Sequence, residues 1–148
     1  ADMVRAQGLV LARRSASAEQ GEGAPREADV WLGDSMGEMP AYFGAADVTL
    51  LGGSFAEFGG QNLIEAAACG CPVVMGPHTF NFEQAALQAQ AAGAAVRVAS
   101  IDEGVAQAIA IATDPAREAW SQRSLAFAAR HRGAALRMAE RVLEAAGR

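Results

Sequence analysis

Two glycine pairs fall within nine residues, Gly52-Gly53 before Ser54 and Gly59-Gly60 before Gln61-Asn62, and Glu65 follows Asn62 by three positions. Glycines at the approach to a helix let the backbone come close to a ligand and offer unobstructed N–H donors. The start of a helix adds unpaired N–H groups and the positive end of its dipole, so the natural occupant is an anion such as a phosphate. Asn62 and Glu65 fall on the same side of a first helical turn, where a carboxylate can accept both hydroxyls of a ribose. The same residues also serve plain architecture, with glycines making turns and Glu65 favouring the dipole.

A second loop, Gly76-Pro77-His78-Thr79-Phe80-Asn81-Phe82-Glu83, cannot be helical until about Asn81. This presents the His78 imidazole to a cleft, where it can contact a phosphate or a sugar or simply satisfy a structural bond. Phe80 and Phe82 are expected to pack on the following helix. A third loop, Gly33-Asp34-Ser35-Met36-Gly37-Glu38, completes the set. No Ser-His-Asp set, Gly-x-Ser-x-Gly elbow, Gly-x-Gly-x-x-Gly fingerprint or P-loop occurs. Cys69 and Cys71 lack the second ligand pair of a zinc site and read as free core thiols, so neither metal nor cofactor is expected.

The elements that must position these loops follow from the hydrophobic pattern. Short apolar runs at Gly8–Arg13, Val30–Leu32, Val48–Leu51, Pro72–Met75 and Ala95–Val98 read as strands, with Arg97 turned away from the buried face. Helical spacing recurs at 37–46, 62–69, 80–92 and 101–113, and again after Asp114-Pro115 to about residue 146 with a break near Gly133. Asp34 or Ser35 is placed to cap the 37–46 helix with Glu38 in its first turn, and Gly93 to stop the 80–92 helix. Residues 15–28 are small and polar and read as a mobile surface loop.

Short all-apolar strands alternating with helices give an α/β fold, a doubly wound, Rossmann-like parallel sheet covered on both faces. Ligands of such sheets sit beyond the carboxyl ends of the strands, where all three loops fall. At 148 residues, 51% hydrophobic, the chain suits a single domain over 1–148. With a net charge of −5 and no lysine among its twelve cationic side chains, it is not built for nucleic acid. No run approaches the length of a membrane span.

The stretch Gly33 to Gln84, GDSMGEMPAYFGAADVTLLGGSFAEFGGQNLIEAAACGCPVVMGPHTFNFEQ, covers about a third of the chain. It resembles the C-terminal half of the 3-deoxy-D-manno-octulosonic acid (Kdo) transferases, glycosyltransferases of the two-domain GT-B architecture. The resemblance lies in the ordered combination of Asp34-Ser35-Met36-Gly37-Glu38, Gly52-Gly53-Ser54, Gly59-Gly60 with Asn62 and Glu65, and Gly76-Pro77-His78 with Phe80-Asn81-Phe82. It implies a nucleotide-sugar donor site for CMP-Kdo, or CMP, lined by Ser35, Met36, Gly37, Glu38, Gly52, Gly53, Ser54, Gly59, Gly60, Asn62, Glu65, Pro77 and His78.

In that reading Glu65 holds the ribose and the glycine-rich loop with its helix holds the phosphate. The resemblance further implies inverting transfer of Kdo to a lipid A precursor in lipopolysaccharide biosynthesis, on the cytoplasmic face of a bacterial inner membrane. The acceptor site, the membrane-facing surface and the general base would belong to an N-terminal half that this chain does not carry. Alone it is therefore expected to be inactive and, with a cleft face uncovered, to self-associate. Gln61 stands where the family has histidine, and Leu63 and Ala66 where prolines are common. A UDP-sugar enzyme of the same architecture and a non-catalytic nucleotide-binding module are the alternatives.

Overall fold

A computed structural model describes residues 1–16, 27–131, 133–145 and 147. Most of the predicted 15–28 loop, residues 17–26, lies outside them. The chain divides into two compact units, 1–39 and 40–148.

The first unit opens with a short helix, α1 (Asp2–Ala6), followed by two parallel strands, β1 (Leu11–Arg13) and β2 (Val30–Leu32), with Leu11 opposite Val30 and Arg13 opposite Leu32. The Asp29 carboxylate accepts the Val10 N–H at 2.8 Å and so fixes the entry to this pairing. Helix α2 (Met39–Ala45) starts later than expected. Gly37 adopts φ +81°, which no helix can contain, and Pro40 suits a first turn because it has no N–H to leave unpaired. Asp34 and Ser35 are thus too far upstream to cap the helix, and Glu38 precedes it instead of lying in its first turn.

The second unit is built on three parallel strands in the order β3 (Thr49–Leu51), β4 (Val73–Met75), β5 (Ala95–Arg97), joined by right-length crossovers through α3 (Leu63–Ala68) and α4 (Glu83–Ala91). The central strand is buried at every position, as a sheet covered on both faces requires. Val73 and Met75 join a core with Leu63, Ala66, Ala86, Ala89 and Phe127, so α3, α4 and α6 (Arg117–His131) cover that side. The opposite side takes α5 (Ile101–Ala112), which approaches so closely at Gly104 that a Cβ there would stand 2.8 Å from the Phe55 ring and 3.0 Å from Leu50.

The helix ends follow local chemistry. Ser100 accepts the Glu103 N–H and Glu103 returns to the Ala99 N–H, a reciprocal cap at the start of α5. Gly93, at φ +66°, ends α4 with bonds from the Gly93 N–H to Gln90 and from the Ala94 N–H to Ala89, as expected of a left-handed C-terminal glycine. Gly133, at φ +74°, separates α6 from α7 (Ala134–Ala145). Among the described residues no helix is long and apolar enough to cross a membrane.

Candidate functional site

The loops that leave β3 and β4 are stitched into one platform at the carboxyl end of the second unit's sheet. Ser54, fully buried, sits in the 3-10 turn Gly52–Ser54; its hydroxyl donates to the Leu51 carbonyl at 2.6 Å and accepts the Gly76 N–H at 2.7 Å. The Ser54 carbonyl in turn accepts the His78 N–H at 3.0 Å. Further out, the Asn81 N–H reaches the Gly59 carbonyl at 3.2 Å and the Asn81 amide donates to the Phe58 carbonyl at 3.0 Å. The first loop is also closed on itself by the Gly60 N–H on the Gly53 carbonyl.

The four glycines of that loop have different reasons to be glycine. Gly59 and Gly60 adopt φ +81° and +80°, and a Cβ on Gly59 would fall 2.4 Å from the Asn81 amide and 2.5 Å from the Phe80 ring. The fold itself demands them. Gly52 and Gly53 have ordinary φ, with nothing within 4 Å of a Cβ at 52 and only ordinary contacts, the nearest at 3.6 Å, at 53. No internal contact explains their lack of a side chain.

Asn62 caps α3: its side-chain oxygen accepts the Ile64 N–H at 3.1 Å while its amide donates to Glu65 Oε1 at 2.9 Å. The cap orients the Glu65 carboxylate, whose other oxygen has no hydrogen-bond partner among the described residues and faces solvent. His78 is half-buried and Pro77 exposed. Phe82 packs against the core as expected, but Phe80 is 62% exposed, with its ring lying over the bare Gly59 backbone.

Behind His78 lies a group the sequence did not reveal. Arg97 is not turned away from the protein: its guanidinium bridges both Glu83 oxygens at 3.2 Å and the Pro77 carbonyl at 3.4 Å. Glu83 also accepts the hydroxyl of buried Thr79. The Thr79 hydroxyl, and then Arg97, hold the Glu83 carboxyl below the usual carboxylate range. An arginine at the end of one parallel strand and an acid in the first turn of the helix preceding it would have been the signal.

In the first unit, Ser35 donates to Glu38, which also receives Arg14 through Nε and Nη2 at 2.8–3.1 Å. Asp34 accepts the Ser15 N–H at 2.9 Å and its hydroxyl at 2.8 Å; these bonds, with Arg13 nearby, hold its carboxyl below the ordinary value. Met36 is almost wholly exposed and Gly37 supplies the turn. Arg13 and Arg14 escaped the sequence reading because they close an apolar strand. Among the described residues no three His, Cys, Asp or Glu side chains gather to hold a metal.

The model of the glycosyl transferases group 1 family matches residues 17–126. A 3-deoxy-D-manno-octulosonic acid transferase of Bordetella pertussis is 51% identical over 138 residues, 93% of this chain and 32% of that protein. One of Haemophilus influenzae is 38% identical over 84 residues, 57% of this chain and 19% of that protein. The chain thus spans about a third or less of these relatives. Among solved structures, the C-terminal CMP-Kdo binding domain of WaaA from Acinetobacter baumannii matches with a TM-score of 0.73 at 26% identity, covering 85% of this chain and 64% of that one. Parallel strands, stitched loops and these likenesses agree: the chain belongs to the glycosyl transferases group 1 family, with the GT-B fold, and is similar there to Kdo transferases.

Proposed function

We propose that residues 1–148 serve as the donor domain of a Kdo transferase, binding the CMP part of CMP-Kdo at the carboxyl end of the β3–β5 sheet. The observation that carries this reading is the bareness of Gly52 and Gly53, which the fold does not require and a closely approaching phosphate would. The likeness to a domain that binds CMP-Kdo and to the Bordetella transferase supports the choice of nucleotide. Gly52, Gly53, Gly59, Gly60 and the start of α3 would receive the phosphate, and Glu65, aimed by Asn62, the ribose hydroxyls. Pro77 and His78 would line the sugar side. Buried Ser54 would hold the two loops at their spacing, and Ser35, Met36, Gly37 and Glu38 are assigned to donor binding on the resemblance alone.

In the complete reaction a hydroxyl of the lipid A precursor attacks the anomeric carbon of Kdo. The bond to the phosphate oxygen breaks, CMP departs, and the hydroxyl proton passes to a base. This chain's contribution is to bind the donor and stabilise the charge growing on the departing phosphate with oriented N–H groups. The base, the acceptor site and the attachment to the inner membrane fall to the remaining part of a protein as long as its relatives.

Titration of the chain with CMP and UMP, followed by calorimetry or NMR, tests the reading. CMP should bind in preference to UMP, and Glu65→Ala should abolish that binding while leaving the melting temperature unchanged. Preference for UMP would transfer the chain to a UDP-sugar enzyme; binding of neither nucleotide would leave a non-catalytic module.

A further inference from the structure

We infer that Arg97, acting through Glu83 and Thr79, is a positioning residue that sets the His78 loop for the donor, a role that rests on the donor-site reading above. Three consecutive residues are each held by a different element. Arg97, the last residue of β5, takes the Pro77 carbonyl; Ser54, after β3, takes the His78 N–H; Glu83, in the first turn of α4, takes the Thr79 hydroxyl. Arg97 and Glu83 are themselves clasped, so the restraints on 77 and 79 are one unit. The backbone on both sides of His78 is fixed, and its half-buried imidazole is the part left to meet a ligand.

The chemistry suits Arg97 specifically. A guanidinium can hold a carboxylate and a carbonyl at once in fixed geometry, whereas an ammonium holds either as a point charge. Its Nε is buried with no hydrogen-bond partner, a desolvation cost the packing accepts to keep the side chain folded back over the loop. Two other arginines of the second unit are engaged elsewhere: Arg117 is paired with Asp47, and Arg123 is bonded to Gly93.

The experiment measures three quantities on the 148-residue chain: CMP affinity, exchange of the His78 amide, and melting temperature. It uses the native protein, Arg97→Met, Arg97→Lys, Glu83→Gln and the Arg97→Met/Glu83→Gln double variant. Arg97→Met should weaken CMP roughly threefold to tenfold, the range that ordering one freed side chain on binding costs. His78 exchange should quicken, and Arg97→Lys should recover part of both effects. The double variant should lose no more than either single one, because the two residues act as one brace.

Unchanged CMP affinity in Arg97→Met and Glu83→Gln overturns the positioning role. So does a loss that merely tracks the melting temperature across the set. Absence of CMP binding to the native chain would instead sink the donor-site reading, and His78 exchange would then decide alone: unchanged in Arg97→Met, it removes the brace; quickened, it keeps the brace for whatever ligand the loop meets.

Discussion

Ser54→Ala should be the most damaging removal of a single oxygen in the second unit. The hydroxyl is fully buried, and it satisfies the Gly76 N–H while donating to the Leu51 carbonyl. Water has no room to step in, because Ser54 and Gly76 are both buried and deleting one oxygen leaves less space than a water needs. A buried N–H left without a partner costs about 1–3 kcal/mol, and the lost hydroxyl–carbonyl bond about 0.5–1.5 kcal/mol, so the expected destabilisation is about 2–4 kcal/mol. For a chain of this size that lowers the melting temperature by roughly 5–15 °C.

The control is Ser124→Ala. Ser124 is equally buried, but its hydroxyl donates to the Trp120 carbonyl one turn back in α6 and accepts no hydrogen bond from a buried N–H among the described residues. Removing it forfeits an accessory bond and orphans no donor, a cost of about 1 kcal/mol or less. Urea unfolding of both variants with a common slope is the assay. Equal destabilisation of the two, or a Ser54→Ala cost below about 1 kcal/mol, would refute the claim that the hydroxyl carries the junction between β3 and β4.

Gly59→Ala should destabilise by about 1–2 kcal/mol through its left-handed backbone alone, whereas Gly52→Ala should leave urea unfolding unchanged and weaken CMP. Burial pushes the Cys71 thiol up, so mass spectrometry after iodoacetamide treatment at pH 8 should show half-buried Cys69 alkylated first and Cys71 only on unfolding. On acidification, Glu83 and Asp34 have folded values below their ordinary 4.5 and 3.8, so the stability they add is present above those values and lost as pH falls through the lowered ones. Carboxyl NMR titration should place the Glu83 midpoint below 4.5 in the native chain, and Thr79→Val should raise it more than Arg97→Met, following the order of the two causes.

The strands were legible because each is a short apolar run, and the structure moves their ends by no more than one residue at Thr49–Leu51, Val73–Met75 and Ala95–Arg97, while the first strand begins three residues later than Gly8, at Leu11. Helix starts were less so. Gly37 and the turn at Thr79–Phe82, closed by the Phe82 N–H on Thr79, delay two helices that helical spacing alone would begin earlier. The joints between loops were not legible at all. Ser54 with Gly76, Asn81 with Gly59 and Arg97 with Glu83 are separated by 14 to 22 residues, and periodicity reports which face a residue occupies, not which distant group it meets. A pattern match named Gly59, Asn62 and His78 together without showing that Asn62 caps a helix and that Gly59 lies beneath Phe80.

The glycine-rich loop shows why motif membership and function must be separated residue by residue. Gly59 and Gly60 would be retained by a domain of this fold that had lost its ligand, because their left-handed backbone angles, and at Gly59 the crowding by Asn81 and Phe80, leave an alanine no relaxed position. Gly52 and Gly53 have no such internal reason, so in that domain they would be free to acquire side chains. Their bareness beside the carboxyl end of β3 is therefore the more informative half of the motif. On the donor-site proposal the demand for space lies outside the protein, where a phosphate approaching the 3-10 turn would exert it.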